Sequence, residues 1–161
     1  MGRLDYVSAV QMQERLVDRG SLIGLITPSQ FDSPSETIIG LEHPLTISLG
    51  KRADPLRDIV VPMKRLKELN VAVVGSDRGG QATLHSPGQL VIYPVVHLKA
   101  RQMKVRDYVY LLEEVTQRFL ADFGIVAHFR GDEPGLHTDE GKIAFFGLRI
   151  QKGMSSHGLS I

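Results

Sequence analysis

Residues 105–123, VRDYVYLLEEVTQRFLADF, carry the strongest periodicity in the chain. Val105, Tyr108, Val109, Leu112, Val115, Phe119, Leu120 and Phe123 recur at steps of three and four, the spacing that lines one face of an α-helix, and Gly124 supplies the stop. The spacing predicts the main core helix here. Upstream of it, QLVIYPVV at 89–96 follows a Pro87-Gly88 turn and reads as a buried strand. Downstream, 125–129 and 143–150 read as strands on either side of a turn-rich segment at 130–141. Residues 154–161 enter a last strand with nothing after it, which is expected to leave an open edge and a domain incomplete at its C-terminal side.

Toward the N-terminus, Tyr6, Ala9, Val10, Gln13, Leu16 and Val17 fall at helical spacing before Gly20, so a helix is expected over 5–19. Leu22, Ile23, Leu25 and Ile26 then read as a short strand, and 28–35, with two Pro, two Ser and an Asp, as a loop. Residues 37–41 and 45–49 are expected to form a bent strand pair, 62–69 a short helix and 71–74 a strand. Helices and strands mix without strict alternation. That pattern predicts an α+β domain with a mixed, largely antiparallel sheet and packed helices rather than a doubly wound fold.

A length of 161 residues fits a single domain, 1–161, able to bury roughly 70% of its unfolded surface. With 19 basic against 18 acidic side chains the net charge is +1, which disfavours a basic nucleic-acid binder. No apolar run approaches the length a membrane helix needs, and MGRLDYVSAV lacks the apolar stretch of a signal peptide, so no membrane association and a cytoplasmic location are expected. The absence of cysteine removes disulfides, thiolate metal sites and thiol nucleophiles from these residues together.

The densest functional segment is RGGQATLHSPGQ at 78–89, placed in a loop or at its margins between two apolar strands. Paired glycines allow close backbone approach to a ligand, Arg78 offers a planar fork, and His85 offers one donor and one acceptor; a plain glycine hairpin with an exposed arginine is the alternative. It is not a phosphate loop, since neither G-x-x-x-x-G-K-[ST] nor G-x-G-x-x-G occurs. Lys142 stands at the mouth of the apolar run 143–150, where desolvation would make it a base or a partner for a nearby anion; a lysine with its head in water is the alternative. His157, beside Gly158 near the end of the chain, could line the same pocket or belong to a frayed terminus. The six histidines show no metal-ligand spacing, and no G-x-S-x-G elbow accompanies Ser86 or Ser155, so no metal site and no serine triad are expected.

Taken in order, Glu42-His43-Pro44 with Ser48-Leu49-Gly50, Arg78 to His85 with Pro87-Gly88-Gln89-Leu90 and Tyr93-Pro94, Lys142-Ile143-Ala144 with Gly147, and His157-Gly158-Leu159 resemble the lipoyl(octanoyl) transferase family over nearly the whole chain. The resemblance implies a fold similar to the catalytic domains of biotin protein ligases and lipoate ligases. It also implies an acyltransferase without cofactor that moves an octanoyl or lipoyl group from acyl carrier protein to a lysine of lipoyl domains. The acceptors implied are the lipoyl domains of 2-oxoacid dehydrogenases and the glycine cleavage H protein, in the first step of protein lipoylation. By resemblance, Arg78, Gly79, Gly80, Gln81, Ala82, Thr83, Leu84 and His85 wall the acyl pocket and hold the substrate's carbonyl end. Phe145, Phe146 and Gly147 line its apolar channel, Gly158, Leu159 and Ser160 close its other side, and Lys142 matches the lysine that lowers the pKa of the family's catalytic thiol.

Two departures accompany the match. Ser86 stands where the family has glycine, and the family's nucleophilic cysteine, downstream of the His-Gly motif, has no counterpart in these residues. A thiolate attacks a thioester far better than a hydroxyl does, so a non-catalytic octanoyl-binding relative is the alternative reading. For an acidic carrier protein, Lys51, Arg52 and Arg57, or Lys99, Arg101, Lys104 and Arg106, offer basic docking clusters.

Overall fold

The computed structural model describes residues 2–26, 36–131 and 133–161. In chain order the elements are β1 (Gly2–Arg3), α1 (Tyr6–Ile26), β2 (Thr37–Glu42), β3 (Thr46–Leu49), α2 (Pro55–Asp58), α3 (Met63–Glu68), β4 (Ala72–Gly75), β5 (Ala82–His85), β6 (Val91–Val95), α4 (Val105–Asp122), β7 (His128–Arg130), β8 (Glu133–Thr138), β9 (Gly141–Gln151) and β10 (Met154–Ser160). A seven-stranded sheet runs β1-β2-β6-β10-β9-β8-β7, antiparallel throughout except for the parallel β1–β2 pair. A small sheet, β4-β3-β5, pairs β3 parallel to β4 and antiparallel to β5. This is the expected α+β class, but the segments at 37–41 and 45–49 lie in different sheets and do not pair with each other.

Asp5 caps α1, its carboxylate accepting the amide of Ser8 at 2.9 Å. The buried face of α1 runs through Tyr6, Ala9, Gln13 and Val17 and lies on β10 and β6. The helix passes Gly20 and continues to Ile26, so the strand expected from Leu22 to Ile26 is helical. A single glycine costs a helix interior only about 1 kcal/mol, and a four-residue apolar run does not by itself distinguish strand from buried helix. The loop expected at 28–35 lies outside the described residues. Two strands, β5 and β8, occupy segments read as loop and turn, because β5 is four residues long between Gly79-Gly80 and Pro87-Gly88, and β8 carries Pro134-Gly135 within it.

The long helix forms as the periodicity predicts, with a different buried face. Tyr108, Glu113, Thr116 and Leu120 face inward, whereas Val105, Val115, Phe119 and Phe123 are between 38% and 68% exposed. The apolar residues wrap around more of the helix than the sheet can cover. The hydroxyl of Tyr108, which bonds to Pro94 O at 3.2 Å and Ser155 Oγ at 3.2 Å, fixes which stripe turns inward.

The last strand reverses an expectation. β10 is the centre of the large sheet, flanked by β6 and β9, and every one of its seven residues is buried. It is neither an edge nor a frayed end. Pro94 in β6 has no amide hydrogen, and the ladder between β6 and β10 is interrupted there. Ser155 Oγ donates to Pro94 O at 2.7 Å, and His157 takes a left-handed φ of +55°. That twist turns the His157 amide toward α1, where Gln13 Oε1 accepts it at 2.6 Å, so the buried glutamine is satisfied by the strained strand.

Candidate active site

Where the two sheets meet the start of α1, a narrow pocket opens to solvent. Val91, Phe145, Phe146 and Leu159 give it an apolar side, and Tyr6, Arg78, His85, Tyr93 and His157 a polar one. Thr83, Gly147, Gly158 and Ser160 complete the lining. Across the β9–β10 ladder Gly158 faces Gly147 and Leu159 faces Phe146, which brings the motif that ends at Gly147 and the His157-Gly158-Leu159 motif into one wall.

Arg78 is 6% exposed, and its donors are all directed at the main chain and at Ser48. Nη2 reaches Ser48 O at 2.7 Å, Gln81 O at 2.9 Å and Ser48 Oγ at 2.9 Å; Nη1 reaches Gly79 O at 2.9 Å; Nε reaches Ser48 Oγ at 3.2 Å. The guanidinium therefore builds the 78–81 turn onto β3. It fits because glycines surround it: a Cβ on Gly50 would lie 3.0 Å from Nη1, one on Gly80 3.3 Å, and one on Gly147 3.1 Å from Cδ. These glycines leave room for an arginine. Burial works against its charge.

Around Arg78 stand three imidazoles with tautomers set by their partners. His43 Nδ1–H donates to Leu4 O at 2.7 Å, so Nε2 accepts from the Tyr93 hydroxyl at 2.7 Å. His85 Nδ1–H donates to Gln89 Oε1 at 2.8 Å, leaving Nε2 to accept from Ser48 Oγ at 3.2 Å. His157 Nε2–H donates to Asp77 Oδ1 at 2.8 Å, and its buried Nδ1 has no hydrogen-bond partner among the described residues. Asp77 is also ion-paired with Arg149. Tyr6 stacks against His85 and His157 at centroid distances of 5.6 and 6.5 Å. Burial lowers the pKa of all three histidines; His85, with Arg78 and His43 nearby, is held down to about 4. Burial also raises the Tyr93 phenol. Near neutral pH this end of the pocket thus holds neutral hydrogen-bonding groups beside one buried cation.

Lys142, the predicted catalytic residue, is not one of the residues lining the pocket. Its ammonium lies 5.2 Å from the centroid of the Phe145 ring, within cation–π range, and Phe145 is a lining residue. Of the residues singled out from sequence, Arg78, Thr83, His85, Phe145, Phe146, Gly147, Gly158, Leu159 and Ser160 line the pocket. Gly79, Gly80, Gln81 and Ala82 form the turn and strand behind it, and Leu84 points outward at 56% exposure. Gly158 is required by packing, since a Cβ there would sit 2.1 Å from Ile92 O. Ser86 begins a turn closed by Gln89 N to Ser86 O at 3.1 Å, with Gly88 at φ +90°; the positive φ falls on the glycine and not on Ser86. Tyr6 and Val91 were not readable as site residues, because each sits at ordinary core spacing. Among the described residues no group of three or more His, Asp or Glu is placed to hold a metal ion. No described helix is long and apolar enough to cross a membrane.

Residues 5–161 match the family model for the lipoyl protein ligase A/B catalytic domain. The whole chain is 37% identical to an octanoyltransferase of Dechloromonas aromatica and 36% identical to one of Methylococcus capsulatus, spanning 70% of the length of each. Among solved structures it is similar to P. falciparum LipL1 in complex with lipoate, with a TM-score of 0.69 at 15% identity, covering 99% of this chain and 46% of that one. It is also similar to the bipartite lipoate protein ligase of Thermoplasma acidophilum, solved with its E2 lipoyl domain, with a TM-score of 0.60 at 12% identity, covering 99% of this chain and 59% of that one. The chain thus spans about half the length of these solved ligases, and the likeness establishes a shared fold.

Proposed function

The chain belongs to the lipoyl protein ligase A/B catalytic domain family, a family of acyltransferase domains, and from that premise we propose that it binds an octanoyl or lipoyl thioester and serves its transfer to a lysine of a lipoyl domain. The donor in this reading is acyl carrier protein. The observation that supports it is the seating of the Lys142 ammonium on Phe145, a residue that lines a pocket with one apolar side. An octanoyl tail brings six methylenes and a methyl to that wall, about 5 kcal/mol of burial at roughly 0.8 kcal/mol per carbon. A cation beside the reacting carbonyl stabilises the negative charge that develops on its oxygen or on the departing sulfur.

In the overall step the acceptor amine attacks the thioester carbon. A C–N bond forms, the C–S bond breaks, and the sulfur leaves with the proton the amine gives up. An intermediate acyl-enzyme would need a thiol, and these 161 residues contain none, so in this reading that thiol comes from outside them. The 161 residues supply a single acyl-binding unit with its lysine.

Mixing the chain with octanoyl-acyl carrier protein and a lipoyl domain, then weighing the acceptor intact, tests transfer; an acceptor that gains no octanoyl mass removes it for this chain. The missing thiol favours a second reading, binding without turnover. Calorimetry with octanoyl-pantetheine separates the two: tight binding without transfer supports the second, and no binding defeats both.

A further inference from the structure

We infer that Gly135, with the register shift beside it, is the device that aims Lys142 at the ring of Phe145, a residue lining the pocket, which makes Gly135 a positioning residue for acyl transfer; this rests on the role proposed above for Lys142. Between β8 and β9, Leu136 stands opposite Ala144 while His137 stands opposite Lys142, so one step on β8 spans two on β9 and Ile143 is the extra residue. Such a bulge redirects the side chains of the strand that carries it. Here the lysine crosses back over β8.

The crossing needs bare backbone beneath it. A Cβ on Gly135 would lie 2.4 Å from Lys142 Cε, 3.2 Å from Lys142 Nζ and 2.4 Å from Ala144 O. Any other side chain would take the volume that the last methylene of the lysine now fills. Gly135 also has φ +134°, a conformation open essentially to glycine alone. Over this gap the ammonium arrives at the Phe145 ring, 5.2 Å from its centroid. Bulge, glycine and aromatic ring thus fix in turn the direction, the clearance and the end point of one side chain.

Reductive ¹³C-methylation of the full chain tests the aim directly, because dimethyl-lysine keeps its charge and the Phe145 ring shields a methyl held over its face. The Lys142 signal, assigned by its loss in Lys142→Arg, is expected upfield of the other lysines. Gly135→Ala should return it to their position, while Gly131→Ala, at a glycine with nothing within 4 Å of an added Cβ, should leave it in place. An unmoved Lys142 signal in folded Gly135→Ala overturns the inference. If Gly135→Ala does not fold, the double variant with Lys142→Ala carries the test: removing the lysine should recover part of the lost melting temperature, and no recovery overturns the inference equally. Neither readout uses an acyl substrate, so a correctly aimed lysine in a chain that transfers nothing would refute the proposed function alone.

Discussion

Acidification from pH 8 to pH 5 should unfold this protein more easily, and His85 should account for about 2 kcal/mol of the loss. The imidazole titrates near 6.5 in an unfolded chain; in the fold, burial, helped by His43 and Arg78 and opposed by the Gln89 hydrogen bond, holds it down to about 4. The unfolded state therefore binds the proton more readily, so the stability present above pH 6.5 is lost as the pH falls toward 4. At pH 5 an unfolded His85 is almost fully charged and a folded one almost neutral. The difference is about 2 kcal/mol for this side chain, and His43 and His157, also held down by burial, act in the same direction. The window stays above the range in which Glu36, held low by Arg101, begins to lose its contribution. Urea unfolding should show the His85 share of the loss as about 1 M of the drop in midpoint from pH 8 to pH 5, for a denaturant slope of about 2 kcal/mol per molar. His85→Gln can keep bonds to Gln89 and Ser48 without titrating, so it should shrink that gap by about 2 kcal/mol. A variant as acid-sensitive as the parent would refute the assignment.

Three further outcomes follow from the geometry. Gly158→Ala forces β10 and β6 apart at Ile92 O and should cost about 3 kcal/mol, seen calorimetrically as a melting point lower by about 6–12 °C; an unchanged melting point would show that the strands yield freely. Arg78→Lys retains the charge but not the fork that reaches Ser48, Gly79 and Gln81, so it should lose about 2–3 kcal/mol and weaken octanoyl-pantetheine binding in parallel, whereas weaker binding at full stability would mean that Arg78 contacts the ligand directly. Reversing Lys99 and Lys104 to Glu should slow transfer from acyl carrier protein and flatten its salt dependence, and rates identical to the parent at low salt would exclude that cluster as the docking face. Arg101 in the same cluster is already engaged with Glu36 at 2.6 Å, which leaves the two lysines as the informative pair.

The legible parts of the fold were those in which local pattern and tertiary environment agree. The helix at 105–122, the strands β6 and β9 and the Pro87-Gly88 turn each carry their signal within a few residues. The failures are equally physical. Gly20 looked like a stop because helix propensity is local, while the helix that passes it lies on a sheet. MSSHGLS reads as the margin of a fold by composition, yet it is the central strand, because its serines and histidine find partners in Pro94, Asp77 and Gln13 that are 61 to 144 residues away. The same limit applies to the site. Sequence alone cannot tell an arginine that touches a ligand from one that ties down its own loop, and the bonds of Arg78 to Ser48, Gly79 and Gln81 are of the second kind. Gly135 left no local sign at all, since its reason for being glycine is the side chain of a residue on the next strand.

The arginine enclosed by Gly50, Gly80 and Gly147 has a consequence for how the cleft accommodates guests. Through its bonds to Ser48, Gly79 and Gln81 this one side chain fastens β3 to the double-glycine bend as a rivet joins two plates, so that flank cannot breathe piecemeal. Adaptation to tails of different girth or length must then fall on the opposite lip, where Phe145 is 37% exposed and meets the flexible end of Lys142. Selectivity for the cargo would be retuned at that lip, with the riveted flank held constant.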